Sequence, residues 1–213
     1  MQPAPVPRPP RRTQAERSRS TREALLEATI GALAELGYAR ATTTEVCQRA
    51  GVSQGALFRH FATKAELVSA AAERLFAALI ADYRAAFLAA AGEGDRIAAA
   101  TRLLASIFRQ PRLQAAFELY LAARTDRELA ASLRPVADRH GANLREHARQ
   151  LFPEAEASPD FEADIDLVMS ALQGAAIGGA ALRDEVREER LLAYLTRLVR
   201  ASFAHPSARR AEP

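Results

Sequence analysis

Positively charged side chains are concentrated at the start of the chain. Residues 1–64 carry ten arginines and lysines against five glutamates, a net charge of +5, whereas the rest of the chain carries −2. This asymmetry indicates that the N-terminal part binds a polyanion, either a nucleic acid or an acidic membrane surface. Charge alone does not choose between these two partners.

A glycine and a serine in this basic region have the spacing of a turn between two short helices. Gly51 tolerates the positive φ that a tight interhelical turn needs, and Ser53 can cap a helix from Gln54 to Phe61. The threonine run at 42–44 can cap a preceding short helix over 45–50. The pattern predicts a helix-turn-helix, which presents its second helix to the major groove of DNA.

Two histidines in the second half are the candidates for acid/base or metal chemistry. His140 and His147 are seven residues apart, or two helical turns, which is too far for them to chelate one metal ion by themselves. They could serve an all-helical enzyme together with nearby acids. The sequence has no nucleophile motif, glycine-rich phosphate loop or ligand cluster to support an enzyme. We therefore expect no catalytic residue and no metal site.

The elements that position these residues must be helices. Alanine, leucine, arginine and glutamate dominate the chain, and β-branched and aromatic residues are sparse. Residues 1–19 combine five prolines with five arginines, which predicts a disordered basic arm. The first helix is predicted to begin after Ser20, which has capping-box spacing to Glu23, and to end at Gly37. Thr63 can cap a long fourth helix that begins at Lys64.

The rest of the chain has the pattern of about five more helices. Pro111 breaks this region, Pro135 strains it, and a loop is expected over 153–159. The segments 161–182 and 186–203 carry apolar and small-residue stripes that predict a homodimer surface. The alternative is that both stripes are buried within one subunit.

Cysteine content and hydropathy bear on where the chain functions. The single cysteine, Cys47, excludes an internal disulfide and fits a reducing compartment, so we expect a cytoplasmic protein. The N-terminus lacks the apolar run of a signal peptide, and no stretch reaches about 18 uninterrupted apolar residues. No membrane partner is expected.

The helix-turn-helix region resembles the DNA-binding signature of the TetR family of regulators. The matching positions are Gly37-Tyr38, Thr42-Thr43, Ala50-Gly51-Val52-Ser53, Gly55, Leu57-Phe58, His60-Phe61, Lys64 and Leu67. A second segment, 118–126 with 133–135, is similar to the C-terminal domain of one actinobacterial-style subgroup. The resemblance implies an all-α fold with a DNA-binding domain at 20–66, a ligand-binding and dimerisation domain at 67–204 and a flexible tail at 205–213.

The resemblance also implies which residues bind DNA. Base edges would be read by Gln54, Gly55, Ala56 and Arg59, and glutamine and arginine suit adenine and guanine edges respectively. The phosphate backbone would be touched by Thr42, Thr43, Ser53, Phe58, His60 and Lys64. Phe58 departs from the family, which usually has tyrosine there, so a phosphate hydrogen bond from a phenol is lost.

The resemblance further implies that the C-terminal helices enclose a cavity for a small-molecule effector. Ligand binding would separate the two DNA-reading helices of a dimer, with the fourth helix as the lever, and release a repressor from a palindromic operator. The surrounding leucine, alanine and phenylalanine favour an apolar or aromatic effector. The candidate pocket residues are polar or aromatic groups on apolar helix faces: Phe108, Phe117, Tyr120, Arg124, His140, Asn143, His147, Met169 and Gln173.

Two alternatives stay open within this interpretation. The chain could activate transcription instead of repressing it, or respond to no ligand. A protein that binds DNA without sequence preference, or a membrane surface, through the basic arm alone is a further alternative, but it leaves the ordered motif from Gly37 to Leu67 unexplained. Arg124 could pair a carboxylate of the effector, or a local acid such as Asp126 or Glu118.

Overall fold

The computed structural model describes residues 13–155, 158–181 and 184–204. In these ranges the chain forms nine α-helices and one short 3-10 helix, Pro153–Ala155, and no strand, which confirms the predicted all-helical class. No helix in the described ranges is both long enough and apolar enough to span a bilayer. The helices are α1 Gln14–Arg40, α2 Thr43–Ala50, α3 Gln54–His60, α4 Lys64–Ala91, α5 Arg96–Phe108, α6 Pro111–Ala123, α7 Arg127–Leu151, α8 Phe161–Ala181 and α9 Glu185–Ala204.

Helix α1 begins earlier than the sequence pattern predicts. The hydroxyl of Thr13 accepts a hydrogen bond from the Glu16 amide, and the Glu16 carboxylate accepts one from the Thr13 amide at 2.7 Å. This capping box starts the helix two turns before Ser20, so the predicted start is wrong and residues 14–19 are helical. The remaining residues of the predicted arm, 1–12, and the predicted tail, 205–213, lie outside the described residues.

The first three helices pack into a small domain around α2 and α3. Val46 and Cys47 on α2 and Leu57 on α3 are buried against α1. Gly51 adopts φ 66° and ψ 33° and ends α2, as its predicted role in the turn requires. Ser53 then caps α3, so the short turn holds α3 at a fixed angle to α2.

Helix α4 connects this domain to the C-terminal bundle. It packs against α1, α5 and α7. Along α4, Leu75, Phe76, Leu79 and Tyr83 are almost completely buried. Helix α7 continues through Pro135, where strain was expected. The last helix covers the bundle where Phe203 packs against Phe152 and Phe161.

Candidate DNA-binding surface and ligand cavity

The outer face of α3 presents polar side chains without apolar cover. Gln54, Gly55 and Arg59 are exposed, and Ala56 is half-buried between them. The Gln54 amide nitrogen donates a hydrogen bond to the Thr44 hydroxyl at 2.8 Å, which fixes the first turn of α3 to α2. Thr44 was not among the predicted site residues, although it belongs to the threonine run that predicted the start of α2. This face of α3 is therefore accessible, and the Gln54–Thr44 hydrogen bond fixes the Gln54 side chain relative to α2.

Two hydroxyl groups on the same side of the domain serve as helix caps. The Thr42 hydroxyl oxygen accepts from the Glu45 amide, and the Ser53 hydroxyl oxygen accepts from the Ala56 amide, each at 3.2 Å. Both residues are exposed. Because the oxygen is the acceptor in each cap, the hydroxyl proton is left to donate to an outside acceptor such as a phosphate oxygen.

Three other predicted backbone-contacting residues differ in accessibility. Phe58 is 50% exposed. Thr43 and His60 are half-buried, and the His60 ring lies 6.4 Å from that of Phe61. Phe61, in contrast to Phe58, is buried and packs in the core of the small domain.

Lys64 makes contacts within the protein that the sequence did not predict. Its ammonium donates to the Tyr38 carbonyl oxygen at 3.1 Å and lies 4.2 Å from the centre of the Tyr38 ring. Burial lowers the pKa of Lys64, partly offset by the nearby negative charge of Asp126. The ammonium holds a contact between α1 and α4, and its phosphate contact stays a prediction.

Tyr38 is the centre of a polar contact between the two halves of the molecule. Its amide donates to the Glu118 carboxylate of α6 at 3.1 Å, and its phenol donates to Asp126, the cap of α7, at 2.8 Å. We call Gly37, Tyr38, Lys64, Glu118 and Asp126 the Tyr38 joint. Each charged side chain that carries this contact has a polar or aromatic partner, because the carboxylates accept from the amide and the phenol, and the ammonium faces the carbonyl and the ring.

The titration behaviour of the Tyr38 joint follows from this arrangement. Burial, reinforced by the hydrogen bond to Asp126, raises the pKa of Tyr38 to about 12. The Leu129 amide and then the Tyr38 phenol lower the pKa of Asp126. Sequence reasoning gave Tyr38 only as a matching position of the signature and left Glu118 and Asp126 as possible partners of Arg124. The second similar segment, which begins at Glu118 and ends at Asp126, was the one signal that these acids matter.

The C-terminal bundle contains a cavity of about 310 Å³ between α4, α6, α7 and α8, with Phe108 of α5 at one side. It brings together six of the nine predicted pocket residues: Phe108, Phe117, Tyr120, His140, Met169 and Gln173. Leu79 and Tyr83 of α4 add to the apolar wall. Asp166 and Ser170 of α8 supply polar groups that the prediction lacked. We call this space the central cavity.

His140 is an ionisable group in the wall of the central cavity. Its imidazole stacks on Phe76, with ring centres 4.6 Å apart, and lies 5.9 Å from the Tyr83 ring. Burial lowers the pKa of His140 to about 4, against the opposing effect of a hydrogen bond to the Phe76 backbone. The ring is therefore neutral near pH 7, and its buried Nδ1 atom has no hydrogen-bond partner among the residues that the structure describes.

The structure corrects the prediction for the other three pocket residues. Arg124 caps the C-terminus of α6 and is exposed, Asn143 is exposed, and His147 is half-buried with Nδ1 3.4 Å from Gln150. None of them lines the central cavity. The buried side of α7 runs through positions 136, 140, 144 and 148, so 143 and 147 fall on its flanks.

Groups suited to metal binding or nucleophilic catalysis do not assemble in the described part of the molecule. Those residues contain no cluster of three or more histidine, cysteine, aspartate or glutamate side chains that could hold a metal ion. Cys47 is buried in the small domain, and burial raises the pKa of its thiol. The thiol is therefore protonated and packs as a small apolar side chain.

Helices α8 and α9 each bury one side and leave apolar residues on the other. Val168 and Leu172 of α8, with Leu195 and Val199 of α9, belong to the subunit core. The opposite surface, which we call the α8–α9 surface, has exposed large apolar residues and exposed glycines: Leu167, Gly174, Ile177, Gly178, Val186, Tyr194 and Leu198. The stripe that begins at Phe161 is thus a core stripe, whereas the small-residue stripe of α8 faces outward.

Comparisons with known proteins agree on one family. The sequence profile described as "Bacterial regulatory proteins, tetR family" matches residues 25–71. An uncharacterized HTH-type transcriptional regulator of Mycobacterium tuberculosis is 34% identical over 194 residues, which cover 90% of this chain and 99% of the relative. The HTH-type transcriptional regulator CymR of Pseudomonas putida is 30% identical over 197 residues, covering 92% of this chain and 97% of CymR.

Solved structures give the same result. A member of the TetR family from Streptomyces coelicolor superposes with a TM-score of 0.61 at 26% identity, covering 84% of this chain and 97% of that one. The multidrug binding protein EbrR, solved with imidazole, gives a TM-score of 0.63 at 25% identity, with coverage of 83% and 93%. Sequence relatives matched over almost their whole length, and the helix-turn-helix with its accessible α3, show that the chain belongs to the TetR family of transcriptional regulators and is not an enzyme.

Proposed function

We propose that the chain is a dimeric repressor, acting in the cytoplasm, that binds a palindromic operator and leaves it when a small apolar or aromatic molecule fills the central cavity. The single observation that carries this proposal is that the central cavity and the Tyr38 joint are built on the same helices. Helices α4, α6 and α7 line the cavity and also supply Lys64, Glu118 and Asp126 to the joint.

Base reading is assigned to Gln54, Gly55, Ala56 and Arg59 on α3. Arg59 is exposed and has no acidic partner among the described residues, whereas Arg49 on α2 is paired with both Glu35 and Glu45. A free guanidinium on the second helix of the motif suits a bidentate bond to guanine. Thr42, Thr43, Ser53, Phe58 and His60 border this face and are assigned to backbone contact.

Dimerisation is assigned to the α8–α9 surface. Contact with a second subunit would remove its exposed leucine, isoleucine, valine and tyrosine side chains from water, which is favourable. Its glycines allow a partner helix to approach closely. A two-fold axis through this surface would place two copies of α3 on successive major grooves of one face of DNA. The symmetry of the operator follows from the symmetry of the dimer.

Release from DNA requires that a bound ligand moves α3 through the protein. Tyr120 and Phe117 of α6 face the central cavity, and Glu118 on the same turn holds the Tyr38 amide. A ligand that displaces α6 would therefore pull on the end of α1 and the start of α4. The similarity to a protein named for multidrug binding supports a ligand-responsive cavity. The required preference for the released state is about 1–3 kcal/mol in typical couplings.

The DNA-reading assignment is tested with one variant and one matched control. After an operator is identified, Arg59→Ala should relax the preference at one base pair in each half-site by about 1–3 kcal/mol. Arg49→Ala removes the same charge from the same domain, but the side chain is paired internally, so base preference should be unchanged. Equal effects of both variants at every operator position would contradict the assignment.

A further inference from the structure

The first two turns of α1 take no part in the core of the subunit. Residues 13–20 are all exposed, and the first buried residue of the helix is Leu25. The capping box of Thr13 and Glu16 holds this segment in the helical conformation although no core residue supports it. A helical segment about 10 Å long therefore projects from the small domain.

The composition of this segment limits what it can bind. Ala15 is the only apolar residue among residues 13–20. A protein partner or a bilayer surface would need an apolar face to bury, and the segment has none. Its other side chains include two arginines and two serines, which are residue types that bind phosphate oxygens. The segment therefore suits the phosphate backbone of a nucleic acid.

Arg22 shows where this segment lies relative to α3. Its guanidinium carbon is 5.3 Å from the centre of the Phe61 ring, and Phe61 is the residue that ends α3, directly after His60. Residues three and four positions apart share one side of a helix, so Ser18 and Arg19 lie on the side of α1 that carries Arg22. These two side chains extend the polar surface of α3 beyond its C-terminal end.

The positive charge of Arg19 is not neutralised within the described part of the subunit. Glu16, one turn earlier, accepts a hydrogen bond from the Thr13 amide at 2.7 Å, and Arg19 forms no ion pair among the described residues. Further along the same helix, in contrast, Glu27 pairs with Arg74 of α4. An arginine with this freedom can pair with a DNA phosphate and release a condensed counterion.

We propose that Ser18 and Arg19 on the first turns of α1 bind backbone phosphates of DNA beyond the bases that α3 reads. This inference rests on the proposed function, because it extends the DNA-binding surface of α3. Phosphate contacts carry no sequence information, so this contact adds affinity and salt dependence equally on every DNA sequence.

The test measures the salt dependence of binding with the full-length protein. Fluorescence anisotropy reports binding to a labelled duplex of arbitrary sequence, about three helical turns long, between about 50 and 200 mM salt. Each phosphate neutralised contributes about 0.9 to the slope of log K against log salt. Arg19→Gln should reduce the slope by about this amount. Arg19→Lys keeps the charge and should retain the wild-type slope.

A matched control separates a local contact from an effect of net charge. Arg84→Gln removes an exposed arginine from α4 in the C-terminal bundle and should leave the slope unchanged. Both positions are exposed, so circular dichroism should show no loss of helix in either variant. An unchanged slope for Arg19→Gln, or equal reductions for Arg19→Gln and Arg84→Gln, would overturn the proposal.

Vesicles of anionic phospholipid test the other polyanionic surface. If Arg19→Gln abolishes vesicle binding and leaves the DNA slope unchanged, the segment binds a membrane surface and the proposal is wrong. We expect the wild-type protein to bind DNA and not the vesicles, because the segment has no apolar face to insert.

The outcomes also separate this inference from the proposed function, because the duplex needs no operator. If the slope falls as expected but no palindrome is enriched from a random pool, the phosphate contact stands and the operator proposal fails. If a palindrome is enriched and the Arg19→Gln slope is unchanged, the operator proposal stands and this contact fails. No binding of the wild-type protein to the duplex at low salt would contradict both.

Discussion

Replacing Gly37 by alanine tests the Tyr38 joint most sharply. Gly37 interrupts α1 with φ 76° and ψ 169°, a backbone region that residues with a side chain essentially do not adopt. A Cβ atom at this position would lie 2.8 Å from one carboxylate oxygen of Glu118 and 3.3 Å from its carboxyl carbon. The carboxylate would have to move, and its hydrogen bond from the Tyr38 amide would be lost or weakened.

The expected cost of Gly37→Ala combines two contributions. Backbone strain in this region is of order 1–3 kcal/mol, and loss of one hydrogen bond adds about 1 kcal/mol. Gly51→Ala is the matched control, because Gly51 also has a positive φ but lies in the left-handed helical region, with nothing within 4 Å of an added Cβ. Its cost is about 1–2 kcal/mol. Both changes restrict the unfolded chain equally, so that effect cancels.

Urea unfolding followed by circular dichroism measures both losses. We expect Gly37→Ala to lower the free energy of unfolding by about 2–4 kcal/mol and Gly51→Ala by at least about 1 kcal/mol less, with equal m-values. Equal losses, or a larger loss for Gly51→Ala, would refute the claim that Glu118 is seated against the Gly37 backbone.

Three further predictions address the joint, the cavity and the dimer. Tyr38→Phe removes the 2.8 Å hydrogen bond to Asp126 but keeps the ring beneath Lys64, so urea unfolding should show a loss of about 1 kcal/mol; no loss would mean that the phenol contributes nothing. Because burial lowers the pKa of His140 to about 4, acid favours the unfolded chain, whose histidine binds a proton at about pH 6.5. Stability should therefore fall between pH 6.5 and pH 4, by at most about 2 kcal/mol at pH 5, and His140→Phe should fall less over the same range. Ile177→Glu, at a side chain of α8 that is 42% exposed, should convert the dimer to monomer in sedimentation, whereas Leu88→Glu on α4, 67% exposed, should not; a dimer that survives Ile177→Glu would contradict the assigned surface.

Local signals predicted the small domain well. Thr42, Ser53 and Thr63 cap α2, α3 and α4, and Gly51 makes the turn, because caps and positive-φ glycines depend on residues within one turn of the chain. The start of α1 also depends on a local signal, which the sequence analysis overlooked. Thr13 and Glu16 form a capping box of the kind predicted for Ser20 and Glu23. The prolines before Thr13 led to the prediction of a disordered arm over this segment.

The features that sequence reasoning missed depend on contacts between distant segments. The position of Lys64 predicts a phosphate contact, and only the fold shows that the Tyr38 carbonyl and ring also lie beside its ammonium. Helical periodicity put His140 on the inner face of α7 correctly, but it could not separate that face from the flank that carries His147. Glu118 meets Tyr38 across 80 residues, a pairing that no local pattern encodes.

Selection of bound duplexes from a random DNA pool, with the purified protein at near-physiological salt, tests the central claim most directly. The account predicts enrichment of an inverted repeat whose half-sites are about one helical turn or slightly more apart, because two copies of α3 would read successive major grooves. Enrichment of a single non-repeated site, or of no shared sequence by folded and dimeric protein, would contradict it.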